Sequence, residues 1–292
     1  MKKTGQQLRK IDAPHYRYWH AVWMSFYSAK FYIDVMKRWK GYGIVYLFLL
    51  IMVLSIPFSI RMILSFERYF TNELINPLQA IPPVKIENGQ VKFDEPMPWK
   101  IKNAEGKVQV IIDTTGKVKT LDPKKNPNLR VLITNDTYYF KMPEFQLFFS
   151  PEQSIWEPEV YTQTFTSADS GVLSGKELIE KSGIRNIIWL PRLTFWPLTF
   201  MTVFSFYLVV LLVFAMMGQL ISQVIFKFSI TYKQACRLMA VSMTPQVVTL
   251  MLYITTQWLK GFISGISIIL LSVYFSYAVL ANRRDSKKLV RT

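Results

Sequence analysis

The chain has 292 residues, 51% of them hydrophobic and only 18% charged, with a mean hydropathy of +0.19. Its apolar residues fall in long blocks, which excludes a disordered chain, a collagen-like fibre and an ordinary soluble enzyme of this length. The net charge of +16 is concentrated in three short pieces beside apolar blocks: residues 1–42, 227–237 and 282–292. Together they hold seventeen cations against three acids, +14 of the total. Residues 61–192 carry seventeen cations and sixteen acids and are almost neutral. This is the positive-inside pattern of a membrane protein, and it argues against nucleic acid, which calls for a basic stripe on a soluble module.

Residues 14–40 precede the first apolar block. Tyr16, Trp19, Trp23, Phe26, Ile33 and Met36 recur there at helical spacing, among scattered cations. The pattern predicts an amphipathic helix lying in the cytoplasmic interface, with Trp19, Trp23, Phe26 and Trp39 as anchors. His15 and His20 are five apart, where helical metal pairs want three or four, and no Cys or carboxylate completes a set. No metal or cofactor is expected.

Four blocks are apolar enough to span: 43–60, 195–226, 238–258 and 262–281. A bilayer needs roughly 20 residues, so the second is long, and Pro191 and Pro197 mark its early end for a break. The third is more polar and holds Pro245. Applying the charge rule places residues 1–42 inside, 61–194 outside, the loop 227–237 inside, the tight 259–261 turn outside and the tail 282–292 inside. The first block follows more than forty residues and no small-residue cleavage site, so it reads as an uncleaved anchor. The lone Cys236 allows no intramolecular disulfide.

Residues 61–194 predict a small β-rich domain. Three units with Gly89, Gly106 and Gly116 each precede a short alternating run, and Asn88-Gly89 is a strong hairpin signal. The expected form is a β-meander with strands at 84–86, 91–93, 99–103, 107–113, 117–121, 131–135 and 138–142. Ser174-Gly175-Lys176-Glu177 is a capping box that starts a helix ending near Ser182. Asp113, in Ile111-Ile112-Asp113-Thr114-Thr115-Gly116, resembles an aspartic-protease loop only superficially. An extra Thr separates it from the Gly, and no second loop supplies the paired carboxylate. As a turn residue, Asp113 should tolerate replacement by Asn.

After Glu180 the next carboxylate is Asp285, so the last three blocks contain no Asp, Glu or His. Proton relays, paired-aspartate proteolysis and zinc helices built in these blocks are thereby excluded. The polar residues that remain are mild. Thr244, Pro245 and Gln246 in the third block, with Ser264 and Ser267 in the fourth, form a face for helix packing or for passage of a neutral solute.

Three motifs carry a resemblance: 31–40 running into Gly41-Tyr42-Gly43, the strand-turn at 111–116, and Ser242-Met243-Thr244-Pro245-Gln246. With them the chain resembles the bacterial membrane family of unknown function that includes the maltodextrin-utilisation membrane protein of Gram-positive bacteria, within the wider Yip-type group. Yip-type proteins often have five spans; four are counted here, and the outer domain is an insertion. The resemblance supplies no catalytic residues and implies a membrane-integral accessory role. The expected fold is an α-helical polytopic membrane protein of four transmembrane helices, with a small α+β extracytoplasmic domain between the first and second. The expected function is a non-enzymatic scaffold, assembly or regulatory subunit of a transport or envelope complex. The alternative is a transporter of lipids or a neutral solute. The expected partners are membrane lipids and a protein of the membrane or envelope, with homo-oligomerisation left open.

Overall fold

A computed structural model describes residues 13–103, 105–122, 126–141, 160–256 and 263–291, with only the backbone given at 263–264 and 289–291. The expected 259–261 turn, the side chain of Ser264 and Met142, the last residue of the seventh expected strand, lie outside the described residues. The chain divides into two compact units, Met1–Arg61 with Phe195–Thr292, and Met62–Thr194.

The first unit is helical. It contains α1 (Tyr18–Met24), α2 (Ala29–Arg38), the start of α3 (Ile44–Phe70), most of α6 (Trp189–Val224), α7 (Tyr232–Ser242), α8 (Thr244–Thr256) and α9 (Ile263–Arg291). Among the described residues four stretches are long and apolar enough to cross a membrane: Ile44–Gln79, Ile184–Val224, Tyr232–Thr256 and Gly265–Lys288. The chain is thus an α+β protein with the helices of a multi-pass membrane protein. The third stretch is the innermost, with 61% of its apolar window buried inside the protein against 22% for the second.

Several helical expectations need correction. Residues 14–40 form two helices, because Ser28 stops one and caps the next by accepting from the Phe31 N–H at 3.3 Å. Only α1 leaves its large aromatics exposed; α2 buries Phe31, Tyr32, Val35 and Met36 in the core. The helix α6 continues through Pro197 without the expected break. An apolar helix tolerates proline where neighbouring helices and local adjustment satisfy the freed carbonyl. The third span is divided at Met243, two residues before Pro245, into α7 and α8. Arg61, expected to close the first span, lies inside α3 and donates to the Thr255 carbonyl at the end of α8.

The second unit holds the end of α3, a π-helical turn (Thr71–Ile75), α4 (Asn76–Gln79), eight strands, α5 (Gly175–Ser182) and a 3₁₀ turn (Ile184–Ile188). The strands are β1 (Val84–Glu87), β2 (Gln90–Lys92), β3 (Trp99–Lys102), β4 (Val108–Ile112), β5 (Val131–Ile133), β6 (Thr137–Lys141), β7 (Val160–Thr164) and β8 (Gly171–Leu173). They make two sheets, β2-β1-β8 and β3-β4-β5-β6-β7. Asn88 and Gly89 both take positive φ in the β1–β2 turn, as the hairpin signal requires. Ser174 caps α5 by accepting from the Glu177 N–H at 3.3 Å.

The expected meander is wrong at two places: β2 and β3 lie in different sheets, and β4 and β5 run parallel, with Val110 opposite Val131. Parallel neighbours need a crossover, and residues 114–130 supply it, so 117–121 is not a strand. Val118, Leu121 and Leu129 pack with Ile111 and Leu132 on one face of the sheet. The opposite face, with Val110, Ile112, Val131 and Ile133, packs on Leu74, Leu78 and Ile179. Covered on both sides, β4 and β5 read as nearly continuous apolar runs, which is the signature of buried parallel strands.

Candidate functional site

In the first unit the polar residues of the third span meet the ends of α2, α3 and α9. The geometry starts at the Gly41-Tyr42-Gly43 turn. Both glycines hold positive φ, and a Cβ on Gly43 would sit 2.7 Å from the Cβ of Ala240. This close approach brings α3 against α7. Arg237 then clamps the turn, its Nε donating to the Gly41 carbonyl at 2.8 Å and its Nη1 to the Met36 carbonyl at 3.2 Å. The carbonyls at the end of α2 thereby gain a charged donor in place of water.

One turn further along, the Tyr46 hydroxyl and Thr244 Oγ1 are 2.6 Å apart, both residues being buried. The Tyr32 hydroxyl donates to the Ser25 carbonyl at 2.6 Å, with Ser242 Oγ beside it outside hydrogen-bonding geometry. Burial raises the Tyr32 pKa far above the ordinary phenol value, so the side chain is a neutral donor. From α9, Asn282 Nδ2 reaches the Tyr32 carbonyl at 3.4 Å and the Ala278 carbonyl at 2.8 Å. Among the described residues of this unit four buried atoms, Ser25 Oγ, Ser242 Oγ, Gln246 Oε1 and Asn282 Oδ1, have no hydrogen-bond partner.

Of the residues expected to form the polar face, Thr244, Pro245 and Gln246 are buried at this junction. Ser267 is half-buried on α9, and Ser272 turns onto its own helix, donating to the Ile268 carbonyl at 2.9 Å. The third-span hydroxyl at Thr244 is engaged by Tyr46. Of the expected anchors, Trp19 and Trp23 are exposed on α1 and Phe26 in the turn after it. Trp39 is a correction: only 3% exposed, it packs edge-on against Tyr18, Phe31 and Tyr46 and donates to the Tyr16 carbonyl at 3.2 Å. A ring closed off in this way does not reach an interface.

Tyr32, Tyr46, Arg237 and Asn282 were missed by sequence reasoning. Tyr46 and Thr244 are 198 positions apart, and no local pattern links them. A partial signal exists for Arg237, a cation directly before the third apolar block and inside α7, where a fixed acceptor is to be expected.

In the second unit Asp113 follows β4 and closes a tight turn. Its Oδ1 accepts from the Thr115 N–H at 2.9 Å and from Thr115 Oγ1 at 2.6 Å, and its Oδ2 accepts from the Val118 N–H at 2.6 Å. Burial alone would raise its pKa, but these donors outweigh it and hold the carboxyl below the usual range. Both oxygens are committed to the crossover, as befits a structural turn. Among the described residues there is no group of three or more His, Cys, Asp or Glu able to hold a metal.

A family model described as "Protein of unknown function (DUF1189)" matches residues 19–281. The chain belongs to the DUF1189 family. The match takes in Gly43, Tyr46, Arg237 and Thr244, so the junction and the inserted sheets both lie within the family's extent. The chain is also similar to the uncharacterized protein RP489 of Rickettsia prowazekii (strain Madrid E). That protein is 27% identical over 226 residues, 71% of this chain and 75% of the relative. No solved structure matches.

Proposed function

We propose that this DUF1189 protein is a non-enzymatic integral protein of the bacterial inner membrane, serving as a scaffold, assembly or regulatory subunit of a transport or envelope complex. One observation carries the reading. Two polar side chains of the third span, Thr244 and Arg237, are spent on fixed bonds between helices, Thr244 on Tyr46 and Arg237 on Gly41 and Met36. Such bonds hold a bundle in one arrangement, as a platform requires. The basic segments support a reading with both termini in the cytoplasm and the sheet-bearing unit outside. Kinship with the maltodextrin-utilisation membrane protein and the Yip-type group is part of this proposal, on the strength of Gly41-Tyr42-Gly43 and the 242–246 motif. The test is gentle extraction of tagged protein at native expression level, followed by native mass spectrometry. A stoichiometric protein partner is expected; a bare monomer or homo-oligomer would overturn the reading.

The unpartnered Ser25, Gln246 and Asn282 atoms favour a second reading. Buried polar atoms of this kind are normally satisfied by water or ligand, and a lipid or neutral-solute transporter would use them during passage. On that reading Gln246→Leu abolishes transport while the protein level stays unchanged.

A further inference from the structure

A cavity of about 370 Å³ lies in the first unit between α2 and α9. Its floor is apolar, with Ile33 from α2 and Leu280 from α9, and its rim carries Lys30, Arg284 and Lys288. Asp285, the carboxylate among the lining residues, is bound at 2.6 Å by Lys37, which approaches from outside the cavity. Its charge is therefore already answered, and the rim remains positive.

The placement on α9 gives the charge a meaning. Tyr277, Leu280, Ala281, Arg284 and Lys288 follow one another at helical spacing along one stripe. The stripe changes from apolar to basic after Ala281, where the fourth span's hydrocarbon stretch ends. The cavity straddles that border. A phospholipid has the same order along its length, acyl chain and then phosphate. Cations around a pocket between helix ends, at the depth of the headgroups, complement an anionic headgroup.

We propose that this α2–α9 cavity holds one anionic phospholipid, its phosphate against Lys30 and Arg284 and the start of an acyl chain over Ile33 and Leu280. Occupancy would pin α2 to α9 from the cytoplasmic side and so tie the bundle's assembly to membrane composition. The proposal needs only that the first unit sits in a bilayer, and it stands apart from the scaffold reading.

The test is a lipid titration of the full-length protein in neutral detergent, read by native mass spectrometry. Phosphatidylglycerol is expected to bind about ten-fold tighter than phosphatidylcholine, on the scale of one to two cation contacts. The variant Lys30→Ala/Arg284→Ala should lower phosphatidylglycerol binding to the phosphatidylcholine level. The control Lys40→Ala/Lys287→Ala removes the same charge outside the cavity and should keep it. Ile33→Trp fills the floor with the cations intact and should also lose the lipid. Equal binding of the two lipids, or retention in Lys30→Ala/Arg284→Ala, overturns the proposal. So does retention in Ile33→Trp, which would indicate surface charge alone, and so does full competition by millimolar inorganic phosphate, which would indicate a soluble anion. Lys30 is exposed, so Lys30→Ala alone gives the same reading if the double variant does not fold.

Discussion

Gly43 and Gly41 lie two residues apart with nearly the same φ, +80° and +77°, but their surroundings differ. A Cβ on Gly41 would meet open space, whereas one on Gly43 would meet Ala240. Gly41→Ala should therefore carry only the left-handed backbone penalty, about 1 kcal/mol. Gly43→Ala adds a backbone shift between α3 and α7, for a total of about 2–4 kcal/mol. Thermal unfolding in detergent should order the variants in that way. The sequence reading of Asp113 as a tolerant turn residue needs revision for a related reason. Asn keeps one acceptor but turns an N–H₂ toward either the Thr115 or the Val118 donors, so Asp113→Asn should cost about 1–3 kcal/mol. The folded carboxyl has a depressed pKa, so its stabilisation is complete above the unfolded value and is lost as pH falls through the folded one. Limited proteolysis of the full chain should show the outer unit opening at acid pH, with a flatter pH dependence in Asp113→Asn.

Among the elements, the divided third span and the parallel β4–β5 pair decide most. Pro245 lacks the N–H that would bond the Val241 carbonyl, and Tyr46 holds Thr244 beside it. A double-mutant cycle with Tyr46→Phe and Thr244→Val should give a coupling of about 0.5–2 kcal/mol, the range of buried interhelical hydrogen bonds in membranes. Additive effects would show that the two hydroxyls are merely near each other. In the sheet-bearing unit Leu129 is fully buried under the crossover, and Leu129→Ala should destabilise that unit by about 2–4 kcal/mol, measured by the same proteolysis. The strands β7 and β8 were not expected, whereas β1 to β6 were legible because Val91, Val110 and Tyr138 alternate with polar neighbours or stand in apolar runs. Their pairing was not. The residues after Gly116 alternate like a strand, and only the demand for a crossover makes them a cover for Ile111 and Leu132.

For the whole molecule, the charge distribution makes a topological prediction. In a Cys236→Ala background, a cysteine replacing the exposed Lys119 should react with a membrane-impermeant maleimide in intact cells. One replacing Lys287 should react only after permeabilisation. Labelling at position 287 but not at 119 in intact cells would show the inverted orientation. The four apolar helices, the sheet-bearing unit between the first two and the exposed aromatics of α1 could all be read from the chain. Each rests on composition or periodicity within one continuous segment, and hydrocarbon thickness and helical pitch act on segments. The burial of α2 and Trp39, the clamp of Arg237 on Gly41 and the meeting of Tyr46 with Thr244 were decided by tertiary structure alone. Those contacts join residues up to 201 positions apart, and a helix presents every side of its surface until packing selects the side that is covered.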